Sequence, residues 1–139
     1  MYTIGQISEM FNIPVSTIRY YDREGLLPGI TRKSGKRQFS DTEVEALQVI
    51  ECLKASGLEI KDIRQFMEWC TEGPSTYNKR RELFENRKAA VEEELIRLNK
   101  VMDLLSFKCW YYETAERVGN EDFELPEEIG ELHDRAFNL

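Results

Sequence analysis

Between residues 77 and 112, apolar side chains return every seven residues. Tyr77, Phe84, Val91, Leu98, Leu105 and Tyr112 form one set, and Leu95, Met102 and Cys109 form a second. From Val91 onward the two sets alternate in steps of four and three, which is the heptad seam of a coiled coil. Arg81 and Lys88 interrupt the seam at its N-terminal end. The break at Gly73-Pro74 puts the helix start near Ser75, and the pattern carries it to about Tyr112. Such a helix spans about 55 Å at 1.5 Å per residue. It is too long to bury its stripe against the small head that precedes it. A partner helix is expected, and the same helix of a second subunit supplies it. The alternative is a lone helix folded back on its own domain.

The 139-residue chain has a formal net charge of −7. The charge is unevenly spread. Residues 1–40 carry six Lys/Arg against three acids, whereas residues 71–139 carry ten bases against sixteen acids. A basic N-terminal end on an acidic chain fits a local nucleic-acid surface. No apolar run is long enough for a bilayer, and no signal-peptide core is seen, so the chain reads as cytoplasmic with no membrane partner. Cys52, Cys70 and Cys109 are widely spaced, with no CxxC pair and one histidine, His133. This is neither a disulfide framework nor a zinc site; no metal and no cofactor is expected.

The head reads as short helices. Thr3-Ile4-Gly5-Gln6 is a capping box opening a helix from Ile4 to Phe11. After Asn12-Ile13-Pro14, Ser16 is the expected N-cap of a second helix that Gly25 stops. Two short helices on a tight turn make a helix-turn-helix, whose second helix enters the DNA major groove. That helix holds Ser16, Thr17, Arg19, Tyr20, Tyr21 and Arg23. The stretch Ile30–Phe39 flanks Ser34-Gly35 as a hairpin tipped by Arg32, Lys33, Lys36 and Arg37, a basic wing for phosphate contacts. Ser40-Asp41-Thr42-Glu43 is a second capping box, opening a helix to Ser56. Its core stripe is expected at Ala46, Leu47, Val49, Ile50 and Leu53, with Cys52 at the flank. A fourth helix is expected over Leu58–Cys70. Cys70 and Cys109 are expected in the core. Residues 113–139 form an acidic tail with one short helix after Pro126, either capping the coiled-coil end or mobile.

The strings Thr3-Ile4-Gly5-Gln6-Ile7, Thr17-Ile18-Arg19-Tyr20-Tyr21-Asp22-Arg23-Glu24-Gly25-Leu26-Leu27, Arg37-Gln38-Phe39-Ser40 and Ala55-Ser56-Gly57-Leu58 resemble the MerR family of bacterial transcription regulators. The resemblance covers residues 1–112. It implies a mainly α fold: a winged helix-turn-helix head over 1–72, a long antiparallel coiled-coil dimerisation helix over 73–112 and a short tail over 113–139. It further implies a homodimer on promoter DNA with an overlong spacer. The dimer would realign the promoter by distortion and so act on RNA polymerase indirectly. Carried over residue by residue, Thr17 and Arg19 would reach base edges or nearby phosphates. Tyr20 and Tyr21 would place hydroxyls on the backbone, and Arg32, Lys36 and Arg37 would hold flanking phosphates. Two positions depart from the family pattern: Lys36, where a tyrosine is frequent, and Glu59, where a small hydroxyl residue is frequent. Glu59 would repel a phosphate, leaving Lys61 as the candidate contact of the second wing.

Metal-sensing members resemble one another in paired C-terminal cysteines, and here Cys109 stands alone. Drug-binding members carry a large appended domain, for which the tail is too short. The chain more closely resembles short regulators that answer aldehydes or thiol-reactive electrophiles through a third-helix cysteine, making Cys52 the candidate sensor. Its neighbours Glu51 and Lys54 give mixed electrostatics, and a packing role stays open. Cys109, Trp110, Tyr111 and Tyr112 are a candidate pocket for a small apolar ligand at the coiled-coil end, or simply pack that end. A different class of function is a protein-interaction module using a winged-helix head and a coiled-coil tether. Catalysis finds no support, because no nucleophile–base pair, phosphate-cradling loop or convergent carboxylate pair is present.

Overall fold

The computed structural model describes residues 1–138. In chain order it contains α1 (Ile4–Phe11), α2 (Val15–Arg23), β1 (Thr31–Lys33), β2 (Lys36–Gln38), α3 (Asp41–Ala55), α4 (Ile60–Glu72), α5 (Tyr77–Val118) and α6 (Glu127–Phe137). A 3₁₀ turn over Pro74–Thr76 leads into α5. Two compact units result, Met1–Arg87 and Lys88–Leu139.

Both capping boxes form. Gln6 N–H donates to Thr3 Oγ1 at 3.2 Å, and Thr3 N–H donates to Gln6 Oε1 at 2.8 Å. Ser40 N–H donates to Glu43 Oε2 at 2.7 Å, and the Ser40 hydroxyl also bonds this carboxylate. The start of α2 differs from expectation. Pro14 is its N-cap, with no side-chain cap, and Ser16 lies in the first turn. Proline's fixed φ suits this entry and its missing N–H costs nothing there. The hairpin pairs Thr31 with Gln38, Arg32 with Arg37 and Lys33 with Lys36. Ser34 at φ 52° and Gly35 at φ 77° give the double positive-φ turn that matches strand twist. Its base is pinned to the N-terminus by paired Tyr2–Phe39 backbone bonds of 2.7 and 2.9 Å.

The head core joins Ile7, Ile18, Tyr21, Leu26, Leu27, Phe39, Leu47, Ile50, Leu53, Leu58 and Ile63. Burying each such side chain contributes about 1.5–3 kcal/mol. Val49 is not among them: it is 39% exposed. Leu47, Ile50 and Leu53 of α3 turn inward as expected, with Ala46 packed at their edge and Glu43 buried beside them. Helix α4 starts at Ile60 with Glu59 as N-cap, two residues later than the pattern predicts. Where α4 meets α5, Arg80 donates to the carbonyls of Trp69 and Gly73 and to the Thr76 hydroxyl, and Thr76 is itself buried. Gly57, at φ 90°, closes α3, and a Cβ there would overlap the Arg87 guanidinium. Arg87 Nε donates to Ser56 O at 2.7 Å, tying the α3–α4 turn to the first part of α5.

Helix α5 runs to Val118, six residues past the expected end. In the second unit the tail folds back on one face of it. Phe107 meets His133 and Phe137 with ring centroids 4.8 and 6.5 Å apart, and Trp110 meets Phe123 at 5.7 Å. Asp103 pairs with Arg135 at 3.6 Å, and the Tyr111 hydroxyl donates to Glu121 at 2.9 Å. Leu95, Leu98, Met102, Leu105 and Tyr112 stay exposed. At about 100° per residue these lie on the side of the helix opposite Phe107.

Candidate nucleic-acid interface

Helix α2 has an inner and an outer face. Ile18 and Tyr21 are buried in the head, while Ser16, Arg19, Tyr20 and Arg23 are exposed at i, i+3, i+4, i+7 spacing. Thr17 is half-buried at the edge of this row. The row presents a hydroxyl, two guanidiniums and a phenol along one side of a helix narrow enough for the major groove.

Tyr21 requires a correction. Its ring is 1% exposed, and its hydroxyl donates to Glu51 Oε1 at 2.7 Å and accepts from Lys54 Nζ at 3.0 Å. Burial pushes the phenol's pKa up from 10, and the hydrogen bond to the Tyr21 hydroxyl raises that of Lys54. Tyr21 is thus a tether between α2 and α3, not a phosphate donor. Of the adjacent pair, Tyr20 is the outward residue, 39% exposed.

Two further charged links hold α2. Asp22 Oδ2 accepts from Arg37 Nε at 2.8 Å, and Arg32 stands 4.0 Å from the same oxygen. The Asp22 and Arg37 side chains are 17% and 16% exposed, so this pair is largely out of water. Glu24 accepts from Arg64 of α4 at 2.6 Å. Tyr21 and Asp22 of α2 and its C-cap Glu24 are therefore fixed to α3, the wing and α4, respectively. A charge-assisted hydrogen bond contributes about 1.5–3 kcal/mol.

Between α2 and the wing lies a concavity of about 480 Å³ lined by Thr3, Ile4, Arg19, Lys36, Arg37 and Gln38. Arg32, Lys33 and Lys36 are exposed around it. A second concavity of similar volume, at the start of α4, gathers Tyr20, Lys54, Lys61 and Arg64. Lys61 is exposed but stands 3.4 Å from Glu59. Asp22, Lys54 and Arg64 were not singled out by the sequence. Their partners lie 15 to 40 residues away, where no local spacing signals them.

The candidate sensor positions separate. Cys52 is exposed and lines an apolar groove of about 650 Å³ between α3 and α4, with Val49, Leu53, Phe66, Met67 and Cys70. Cys70 and Cys109 are exposed as well, contrary to the expectation of core positions. The four residues 109–112 differ in surroundings, although the Tyr111 and Tyr112 rings meet at 5.1 Å. Trp110 and Tyr111 turn toward the tail, while Cys109 and Tyr112 lie outward.

Comparison with known proteins places this geometry in a family. Residues 2–69 match the model described as MerR HTH family regulatory protein. An uncharacterised HTH-type transcriptional regulator of Haemophilus influenzae is 37% identical over 120 residues, covering 86% of this chain and 89% of that one. The structure of HiNmlR, a MerR family regulator lacking the sensor domain and bound to promoter DNA, is similar at TM-score 0.67 and 36% identity, over 86% of this chain and 96% of that chain. A MerR family transcriptional regulator from Bacillus thuringiensis is similar at TM-score 0.61 and 37% identity, over 78% and 96% of the two chains. With its helix-turn-helix, two-stranded wing and 42-residue α5, this chain belongs to the MerR family of DNA-binding transcription regulators.

Proposed function

We propose that the protein acts as a cytoplasmic homodimer on a promoter with an overlong spacer, and that it realigns the promoter by distorting the DNA when it senses a small reactive molecule. The observation that carries this reading is the exposed row Ser16, Arg19, Tyr20 and Arg23 beside the basic wing. Thr17 and Arg19 read base edges or adjacent phosphates; Tyr20, Arg23, Arg32, Lys36 and Lys61 hold the backbone. The head over 1–72 binds DNA, and α5 pairs two subunits through the exposed seam it carries up to Tyr112. Two heads held at a fixed separation can bend and undertwist the DNA between them, and polymerase then responds to the altered promoter. DNA-bound HiNmlR supports the docking of the head.

Cys52 is the sensor in this reading. Its support is an exposed thiol at the rim of an apolar groove, a place that a small electrophile can enter. Reaction there would add bulk between α3 and α4. Glu51 and Lys54, which flank Cys52, hold Tyr21 of the recognition helix, so a shift of α3 reaches the DNA-reading face. A second reading, sensing of an apolar ligand at residues 109–112, has less support, because Trp110 and Tyr111 already pack on Phe123 of the tail.

Footprinting of the DNA upstream of the protein's own gene tests both parts, with and without methylglyoxal or diamide, for wild type and Cys52→Ser. Protection of an inverted repeat between promoter elements, altered by the electrophile only when Cys52 is present, is the expected result. Protection indifferent to the electrophile removes the Cys52 sensor and keeps the regulator. An operator outside a promoter spacer removes the realignment reading.

A further inference from the structure

The wing carries its charge in an unfavourable arrangement. Its cross-strand pairs are Arg32 with Arg37 and Lys33 with Lys36, like charges directly opposed. The carboxylate that reaches this cluster is on the recognition helix: Asp22 bonds Arg37 Nε at 2.8 Å and lies 4.0 Å from Arg32. The bond uses the inner N–H of the guanidinium and leaves its outer pair for another anion. Asp22 shares a rigid helix with Arg19 and Arg23, one residue from the latter.

We infer that Asp22 is a specificity-positioning residue for DNA reading: by neutralising and aiming Arg37, it makes the wing's grip depend on a seated recognition helix. An unpaired Arg37 would bind any phosphate backbone, adding the sequence-independent, salt-sensitive affinity that blurs discrimination. Tied to Asp22, it adds little to that background. It delivers its outer N–H pair only where α2 has brought the wing to the backbone. The wing is then an accessory of the recognition helix and not an independent polycation.

The experiment compares wild type, Asp22→Asn and Asp22→Glu on two duplexes: one selected from a random pool by the wild-type protein, and one of scrambled sequence. Affinity is measured across a salt series. For Asp22→Asn, affinity for the scrambled duplex should rise about 3–10-fold and its salt slope should steepen by about one, as for one added phosphate contact. The ratio of selected to scrambled affinity should fall by a similar factor, and Asp22→Glu should restore both. In an Arg37→Ala background the effect of Asp22→Asn should largely vanish, since the coupling runs through that pair. An unchanged slope and ratio in Asp22→Asn would overturn the inference. So would an undiminished effect in the Arg37→Ala background. If circular dichroism shows Asp22→Asn unfolded, Asp22→Ser serves as the second neutral variant, read against the same outcomes.

Discussion

Two adjacent tyrosines divide the labour of the recognition helix. Tyr21 holds it to α3 through Glu51 and Lys54, whereas Tyr20 faces outward. Tyr21→Phe should therefore lower stability by about 1–2 kcal/mol in urea titrations, the cost of unpairing a part-buried polar network. Tyr20→Phe should leave the urea midpoint in place and weaken DNA binding. The reverse pattern would exchange their roles. Glu43 supplies a pH dependence. Burial pushes its carboxyl upward, but hydrogen bonds from Ser40 outweigh this and hold it below the ordinary 4.5. A lowered carboxyl stabilises the fold fully above about pH 4.5 and loses that contribution as pH falls through its folded value. Ser40→Ala should cost about 1 kcal/mol at pH 7 and make stability less dependent on pH below 4.5. Equal losses at pH 7 and pH 3 would contradict the assignment.

At the scale of elements, legibility followed locality. The boxes at Thr3 and Ser40 and the turn at Ser34-Gly35 could be read because each is complete within four residues. The α2 cap could not be placed by side-chain chemistry alone, since Pro14 supplies the entry through its backbone and Ser16 is left inside the helix. Which tyrosine faces inward, and whether Val49 or Cys70 is covered, depends on neighbouring helices that a period of 3.6 does not locate. Likewise Asp22 reads locally as a mid-helix acid, and its role emerges only with the wing beside it. The wing turn offers a direct check. Gly35→Val puts a β-branched residue at φ 77° and should fray the hairpin. We expect weaker binding to all duplexes with the thermal transition of the helical core nearly unchanged. Full DNA affinity in this variant would separate the hairpin from binding.

For the whole molecule, the heptad pattern marks an exposed apolar row on α5, and the acidic tail covers part of a second apolar face. Leu95, Leu98, Met102 and Leu105 lie bare in the single chain. In the proposed dimer they are covered, so Leu98→Asp should give monomers by light scattering, with helical content of the head retained. Dimers that survive this change would place the subunit contact elsewhere. Phe107, by contrast, is already 7% exposed beneath the tail.

That covering of Phe107 and Trp110 bears on the valency of the proposed pairing. A helix bare on two sides could recruit neighbours on both, and such chains grow into sheets or bundles of undefined number. With the tail seated over Phe107 and Trp110, the continuous apolar row left bare on α5 is Leu95, Leu98, Met102 and Leu105, while Ile96 and Val118 stand exposed singly on the tail side. In the pairing proposed here, the acidic tail would act as a terminator, favouring association that stops at two.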